Sequence, residues 1–288
     1  MKKAVCAAFA ALALGASQAG AASVHYFGQG PEDTVSEVPY GNNPAAGHYA
    51  DAGDAKIYYE TYGSGEPVLV LHGGGVGCTY EMGRFIDILA RDRLVIAPST
   101  RGHGKSGIGT APITYEQKAR DMMAALDEAT DRPFTILGFS DGAYTAYKIA
   151  AMHPGRVKKI IAIGAGENVP ALRRIPRSTL EGLARIDRRF IEERIALSPE
   201  PAKLQDYLDR YFEFFNRELI SKALFGSIRC PVLLISGEKD LNAPLDTVIS
   251  AYKMIPDARL AIIADAPHQA FVTNFDAVWA NIVPFLKE

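Results

Sequence analysis

The chain has 288 residues, 48% of them hydrophobic and 22% charged, with a formal net charge of −2. These are ordinary globular values, and the length suits one large domain or one domain carrying an insertion. A mildly acidic balance argues against a nucleic-acid partner, which would need a basic stripe.

Lys2 and Lys3 precede an apolar run over residues 4–14, followed by small residues that offer cleavage at Ser17-Gln18-Ala19 or Ala19-Gly20-Ala21. This is the three-part pattern of a secretory signal peptide, so residues 1–21 are expected to be removed and the mature protein to be periplasmic or secreted. The run is about half the ~20 apolar residues that a bilayer crossing requires, so no membrane span is expected. Cys6 lies inside the run, too early for lipid attachment after it. Losing the two lysines takes the net charge to −4.

Residues 22–54 read as an N-terminal arm and a first strand. From 24 to about 47 the chain is polar, with Gly, Pro and Asn and no period, which predicts an extended arm on the surface. Residues 56–62 are strand-like and end in a turn at Gly63-Ser64-Gly65. Further strands are expected at 68–71, 94–97, 134–137, 157–163, 232–235 and 260–264, and helices at 82–90, 115–129, 143–152, 245–255 and 275–286. Continuous Val/Ile/Leu runs between amphipathic helices predict an α/β fold with a mostly parallel sheet covered on both faces. Residues 55–166 and 227–288 form this core.

Residues 167–226 carry only helical patterns, for example Leu204, Tyr207, Leu208, Tyr211, Phe212 and Phe215. An all-helical insertion there reads as a cap over the sheet's carboxyl edge, where open α/β sheets bind ligands. The aromatic cluster reads as the cap's own core. Between Ala171 and Phe190, Arg173, Arg174, Arg177, Arg185, Arg188 and Arg189 face only Glu181 and Asp187. A solvated helix face is the favoured reading, and recruitment of anionic substrates the sharper one. Cys78 follows one parallel strand and Cys230 precedes another, on opposite sheet edges about 16 Å apart at ~3.3 Å per residue. A disulfide cannot span that, so two free, buried thiols are expected.

Gly102-His103-Gly104-Lys105-Ser106-Gly107 fits a dinucleotide fingerprint, but no helix can begin before Pro112 to receive a pyrophosphate. The same stretch lacks the first glycine of a P-loop, where Ser99 stands. It is expected to be a rim loop, and neither an organic cofactor nor a metal is called for.

The informative segment is Gly138-Phe139-Ser140-Asp141-Gly142, between a buried strand and a helix. Glycines flanking a serine at such a junction permit a tight turn that presents the hydroxyl at the sheet's carboxyl edge. Ser140 is therefore the candidate nucleophile. A base and an orienting acid are found at the ends of the next strands, as His268 and Asp240, with Asp265 and Glu238 as rival acids. Leu71-His72-Gly73-Gly74-Gly75 follows the first long parallel strand, and its glycines let backbone amides approach a substrate oxygen. The Gly74 and Asp141 amides are the candidate oxyanion donors, with Gly75, Phe139 and Asp141 as candidate substrate contacts. His72 reads as structural. The Asp141 side chain either caps its helix or pairs with a basic residue, or else meets a substrate ammonium.

Leu-His-Gly-Gly-Gly (71–75), Arg-Gly-His-Gly-Lys-Ser (101–106), Gly-Phe-Ser-Asp-Gly (138–142), Gly-Glu-Lys-Asp (237–240) and Ala-Pro-His (266–268) resemble the α/β-hydrolase superfamily. Leu-Gly-Phe-Ser-Asp-Gly, Cys-Pro-Val-Leu-Leu-Ile-Ser-Gly-Glu-Lys-Asp and the cap length are similar to the valacyclovir-hydrolase-like esterases. Relatives commonly carry Asp where Ser99 stands, and the N-terminal arm is outside the family core. The resemblance implies an α/β-hydrolase fold and a serine hydrolase acting on a small ester or lactone. It leaves open an α-amino-acid ester, a C–C bond or an amide as the target. A binding protein on a retired hydrolase fold is the non-enzymatic alternative.

Overall fold

The computed structural model describes residues 24–170 and 174–288. The expected signal peptide and Arg173 lie outside the described residues. Eight strands form one sheet: β1 (Gly47–Asp51), β2 (Lys56–Tyr62), β3 (Glu66–Leu71), β4 (Arg93–Pro98), β5 (Phe134–Phe139), β6 (Val157–Ile163), β7 (Val232–Gly237) and β8 (Ala258–Ile263). Their spatial order is β1-β2-β4-β3-β5-β6-β7-β8, antiparallel at β1–β2 and β2–β4 and parallel thereafter.

Side chains alternate across the pleat. Val68 and Val70 join the apolar layer under α1 (Gly83–Leu89) and α10 (Phe275–Lys287). Leu69 and Leu71 join the layer under α2 (Tyr115–Ala129) and α3 (Asp141–Met152). Both faces are thus covered, as a parallel sheet requires. Helices α8 (Leu245–Met254) and α9 (Ala270–Thr273) complete the core.

The insertion folds as α4 (Leu180–Ala184), α5 (Arg188–Leu197), α6 (Leu204–Arg217) and α7 (Lys222–Phe225). Its aromatic side chains are not a separate cap core, and that expectation is corrected. Tyr207, Tyr211, Phe212 and Phe215 belong to the same buried cluster as α2 and α3. Tyr115 meets Phe214 at 5.0 Å and Tyr147 meets Phe225 at 5.3 Å between ring centroids. A short helical insertion has too little interior of its own, so its apolar face closes onto the core helices.

The arm is also less superficial than expected. Tyr26 and Tyr40 are 3% and 4% exposed, and both the Tyr40 hydroxyl and Ser36 Oγ donate to Asp87. The buried Glu60 carboxylate accepts from the Gly41 and Asn43 amides, fastening the arm to β2. Cys78 and Cys230 are free thiols, Cys230 buried and Cys78 only partly so.

Candidate active site

Parallel register brings the site together. Leu71 pairs with Gly138, Phe139 with Ile163, Ile163 with Ile235, and Gly237 with Ile263, so the loops after β3, β5, β7 and β8 leave the same sheet edge. Ser140 sits at the β5–α3 turn with φ 50° and ψ −115°, a left-handed conformation rare for a side-chain-bearing residue. The flanking glycines are sterically required. A Cβ on Gly138 would lie 2.7 Å from the Gly142 carbonyl oxygen, and one on Gly142 would lie 2.6 Å from the carbonyl oxygens of Leu71 and His72.

His268 Nε2 lies 3.0 Å from Ser140 Oγ, and Nδ1 lies 2.7 Å from Asp240 Oδ2. Nδ1–H donates to the carboxylate, which leaves Nε2 to accept from the serine. Asp240 is buried, and its second oxygen accepts from the Asn242 and Ala243 amides at 2.8 and 2.7 Å. The rival acids are engaged elsewhere: exposed Asp265 pairs with Lys239, and Glu238 accepts the Asp265 amide. Phe139 packs on the His268 ring at 4.9 Å and on Phe271 at 4.9 Å. It is 3% exposed, so it backs the imidazole rather than lining an open pocket.

Each peptide of the glycine loop after β3 is pinned. His72 Nε2 accepts the Thr100 amide at 3.0 Å, so Nδ1 carries the proton and donates to the Gly73 carbonyl at 2.6 Å. Burial pushes the His72 pKa down to about 4, which keeps this tautomer neutral. The Gly73 amide donates to Glu81 Oε1 at 2.6 Å, and the Gly77 amide to the Gly74 carbonyl at 2.9 Å. Gly75 has φ +64°, and its carbonyl accepts from Arg194 of α5 at 2.6 Å. Gly74 retains some exposure, and a Cβ there would collide with the Tyr211 hydroxyl. Asp141 opens α3, and the amide of a helix's first residue has no carbonyl partner within the helix.

The Asp141 carboxylate does not face an open pocket. It is fully buried, with Lys118 Nζ at 2.5 Å from Oδ2 and the Tyr115 and Tyr211 hydroxyls at 3.0 and 3.3 Å from Oδ1. The ammonium also stands 4.8 Å from the Tyr211 ring centroid and 5.5 Å from those of Tyr115 and Phe214. Of the two readings of this side chain, the geometry is that of pairing with a basic residue. Lys118 escaped the sequence reading, although a lysine in the Tyr115, Ala119, Met122 stripe is a polar residue on an apolar helix face. The rim loop likewise holds no helix N-terminus. Arg101 there is spanned by both oxygens of Asp121 at 2.7 and 2.8 Å and by Asp54 at 2.8 Å.

The sequence matches the family described as the alpha/beta hydrolase fold over residues 66–217, a stretch that holds the glycine loop and the nucleophile elbow. The chain belongs to the α/β-hydrolase family. This α/β hydrolase is 30% identical over 268 residues to a protein of Azorhizobium caulinodans named for carbamate hydrolysis (RutD), covering 83% of this chain and 98% of that one. It is 25% identical over 255 residues, 78% of this chain and 86% of the relative, to the 2-hydroxy-6-oxo-6-(2'-aminophenyl)hexa-2,4-dienoic acid hydrolase of Metapseudomonas resinovorans. The solved esterase EaEST from Exiguobacterium antarcticum superposes with a TM-score of 0.70 at 21% identity, covering 84% of this chain and 100% of that one, and shares the fold. Among the described residues no helix is long and apolar enough to cross a membrane, and no His/Cys/Asp/Glu cluster could hold a metal ion.

Proposed function

We propose that this hydrolase is a serine esterase cleaving a carboxylic ester or lactone of a small substrate through an acyl-enzyme. The Asp240–His268–Ser140 relay carries the reading. Ser140 Oγ attacks the carbonyl carbon as its proton passes to His268 Nε2. Asp240 holds the tautomer and stabilises the imidazolium. The Gly74 and Asp141 amides receive the oxyanion, and the imidazolium returns its proton to the departing alkoxide. Water, deprotonated by His268, then releases the acid and restores the serine. The expected result is turnover of p-nitrophenyl acetate with labelling of Ser140 by a fluorophosphonate, both lost in a folded Ser140→Ala protein. Undiminished turnover in that variant would overturn the assignment.

C–C or amide cleavage on the same residues is the second reading, and the relationship to the dienoic acid hydrolase supports the first of these two bonds only. A vinylogous 1,5-diketone assayed beside the ester separates the two. An α-amino-acid ester is the weaker candidate, because Lys118 already neutralises the carboxylate that would meet a substrate ammonium. Asp141→Asn should accordingly change an amino-acid ester and its deaminated analogue alike. The N-terminal pattern supports export, which N-terminal sequencing of the mature protein tests.

A further inference from the structure

Arg194 sits on α5 at the junction of cap and core and is 5% exposed. Nη1 donates to the Gly75 carbonyl at 2.6 Å and Nη2 to the Gly102 carbonyl at 3.2 Å. One guanidinium thus joins the glycine loop after β3 to the rim loop after β4. Nε has no hydrogen-bond partner among the described residues, and after desolvation the largest influences on the guanidinium come from Tyr207, Cys78 and Tyr211 rather than from a carboxylate. Its removal would leave the buried Gly75 and Gly102 carbonyls without that donor, which should cost some stability as well as rate.

The glycine loop needs such a tie. Three consecutive glycines have no side chains to hold them and wide backbone freedom. Gly73 is fixed at both its amide and its carbonyl, and Gly74 at its carbonyl. The Gly75 carbonyl is fixed from the cap, by Arg194. Helix α5 is itself braced from the other side by the arm. His25 Nδ1 stands 2.7 Å from Glu193 Oε2 and Nε2 3.2 Å from Asp187 Oδ1, while the Gly28 amide donates to Asp187 at 2.8 Å. Phe27 meets Phe190 edge-on at 5.6 Å.

We propose that Arg194 is a positioning residue for the hydrolytic reaction, fixing the glycine loop through the Gly75 carbonyl so that the Gly74 amide points at the developing oxyanion. This rests on Gly74 acting as an oxyanion donor. Loss of one such donor costs about 10²- to 10³-fold in kcat, so a loosened donor should cost roughly 10- to 100-fold. Arg194→Met assayed on p-nitrophenyl acetate should show that fall with KM changed by less than about threefold, since the contact matters mainly in the transition state. Butylboronic acid, which forms a tetrahedral adduct on Ser140, should lose affinity by the same factor as kcat/KM. The Tm should fall by a few degrees, because two buried carbonyls lose their donor. Arg194→Lys, which keeps the charge but not the fork, should recover only part of the rate. Unchanged kcat and boronate affinity in the Met variant would refute the proposal, as would a fall in kcat and Tm together with boronate affinity intact. If the Met variant does not fold, the Lys variant decides by the same boronate measurement. Ser140→Ala is run alongside: activity surviving there removes the triad reading, whereas activity lost there and unchanged in Arg194→Met removes only this role for Arg194.

Discussion

Ser140 and Asp240 differ in how their surroundings hold them. The serine is held in a left-handed conformation by two flanking residues that have no room for a Cβ. The acid is held by two amides on one oxygen and the imidazole on the other. Asp240→Asn should lower kcat by about 10⁴, because an amide would favour the wrong imidazole tautomer. Asp265→Asn and Glu238→Gln should stay within about twofold, since both side chains are exposed and bonded elsewhere, as surface substitutions usually allow. A large loss in either of those two would move the acid. Lys118→Met strands the Asp141 carboxylate in a dry site, which should cost about 3–5 kcal/mol in urea unfolding. Adding Asp141→Asn should restore part of that loss. Equal stability of the single and double variants would show that the pair does not interact.

At the scale of elements, Glu81 is the tie between loops. It lies on the turn before α1, accepts the Gly73 amide, and is hydrogen-bonded by the Gln269 side chain next to His268. Desolvation is the largest effect on it and pushes its pKa up to about 7, with these bonds opposing the rise. The charged and titratable groups around it are the Cys78 thiol, whose pKa burial raises, Tyr26, and Glu32, Asp33 and Arg84, which line the same cavity. A carboxyl group whose pKa is higher folded than unfolded makes the native state bind more protons between the two values. Its stabilising contribution is therefore complete below about pH 4.5 and is lost as pH rises toward about 7. His72, lowered to about 4, works in the opposite sense over an overlapping window, so the total curve is not diagnostic. The difference in stability between wild type and Glu81→Gln is diagnostic, because His72 is common to both. That difference should shrink as pH rises from 5 through about 7 and level off beyond it; a constant difference across this range would count against the buried neutral acid.

At the scale of the whole molecule, the cap is tied down on two sides. The arm grips α5, and Tyr207, Glu200 and Arg194 grip the rim loop through Arg101, Ile108 and Gly102. Arg194 apart, the described arginines that begin the cap are solvent-facing. Arg177, Arg185, Arg188 and Arg189 are exposed and paired with Glu213, Glu181, Glu192 and Glu193. Exposed, paired charges are screened within about 8–10 Å at ordinary ionic strength. The kcat/KM values of an anionic ester and a neutral ester should therefore respond alike to added salt. A selective fall for the anionic ester would restore the recruiting role.

Continuous apolar runs, the helical stripes between them and the Gly-x-Ser-x-Gly turn are local signals, so the parallel core of the sheet, its covering helices and the place of Ser140 were legible in the residues alone. Asp240 and His268 could be proposed because a parallel sheet sends the ends of neighbouring strands to one edge, which the register from Leu71–Gly138 to Gly237–Ile263 displays. What the chain order could not convey is which polar groups are buried together. Lys118 meets Asp141 across two helices, Arg194 reaches Gly75 across 119 positions, and His25 reaches Glu193 across 168. No periodicity encodes such pairs. Each is decided by how the cap and arm close on the core, where desolvation forces every buried charge to find a partner or bear the cost.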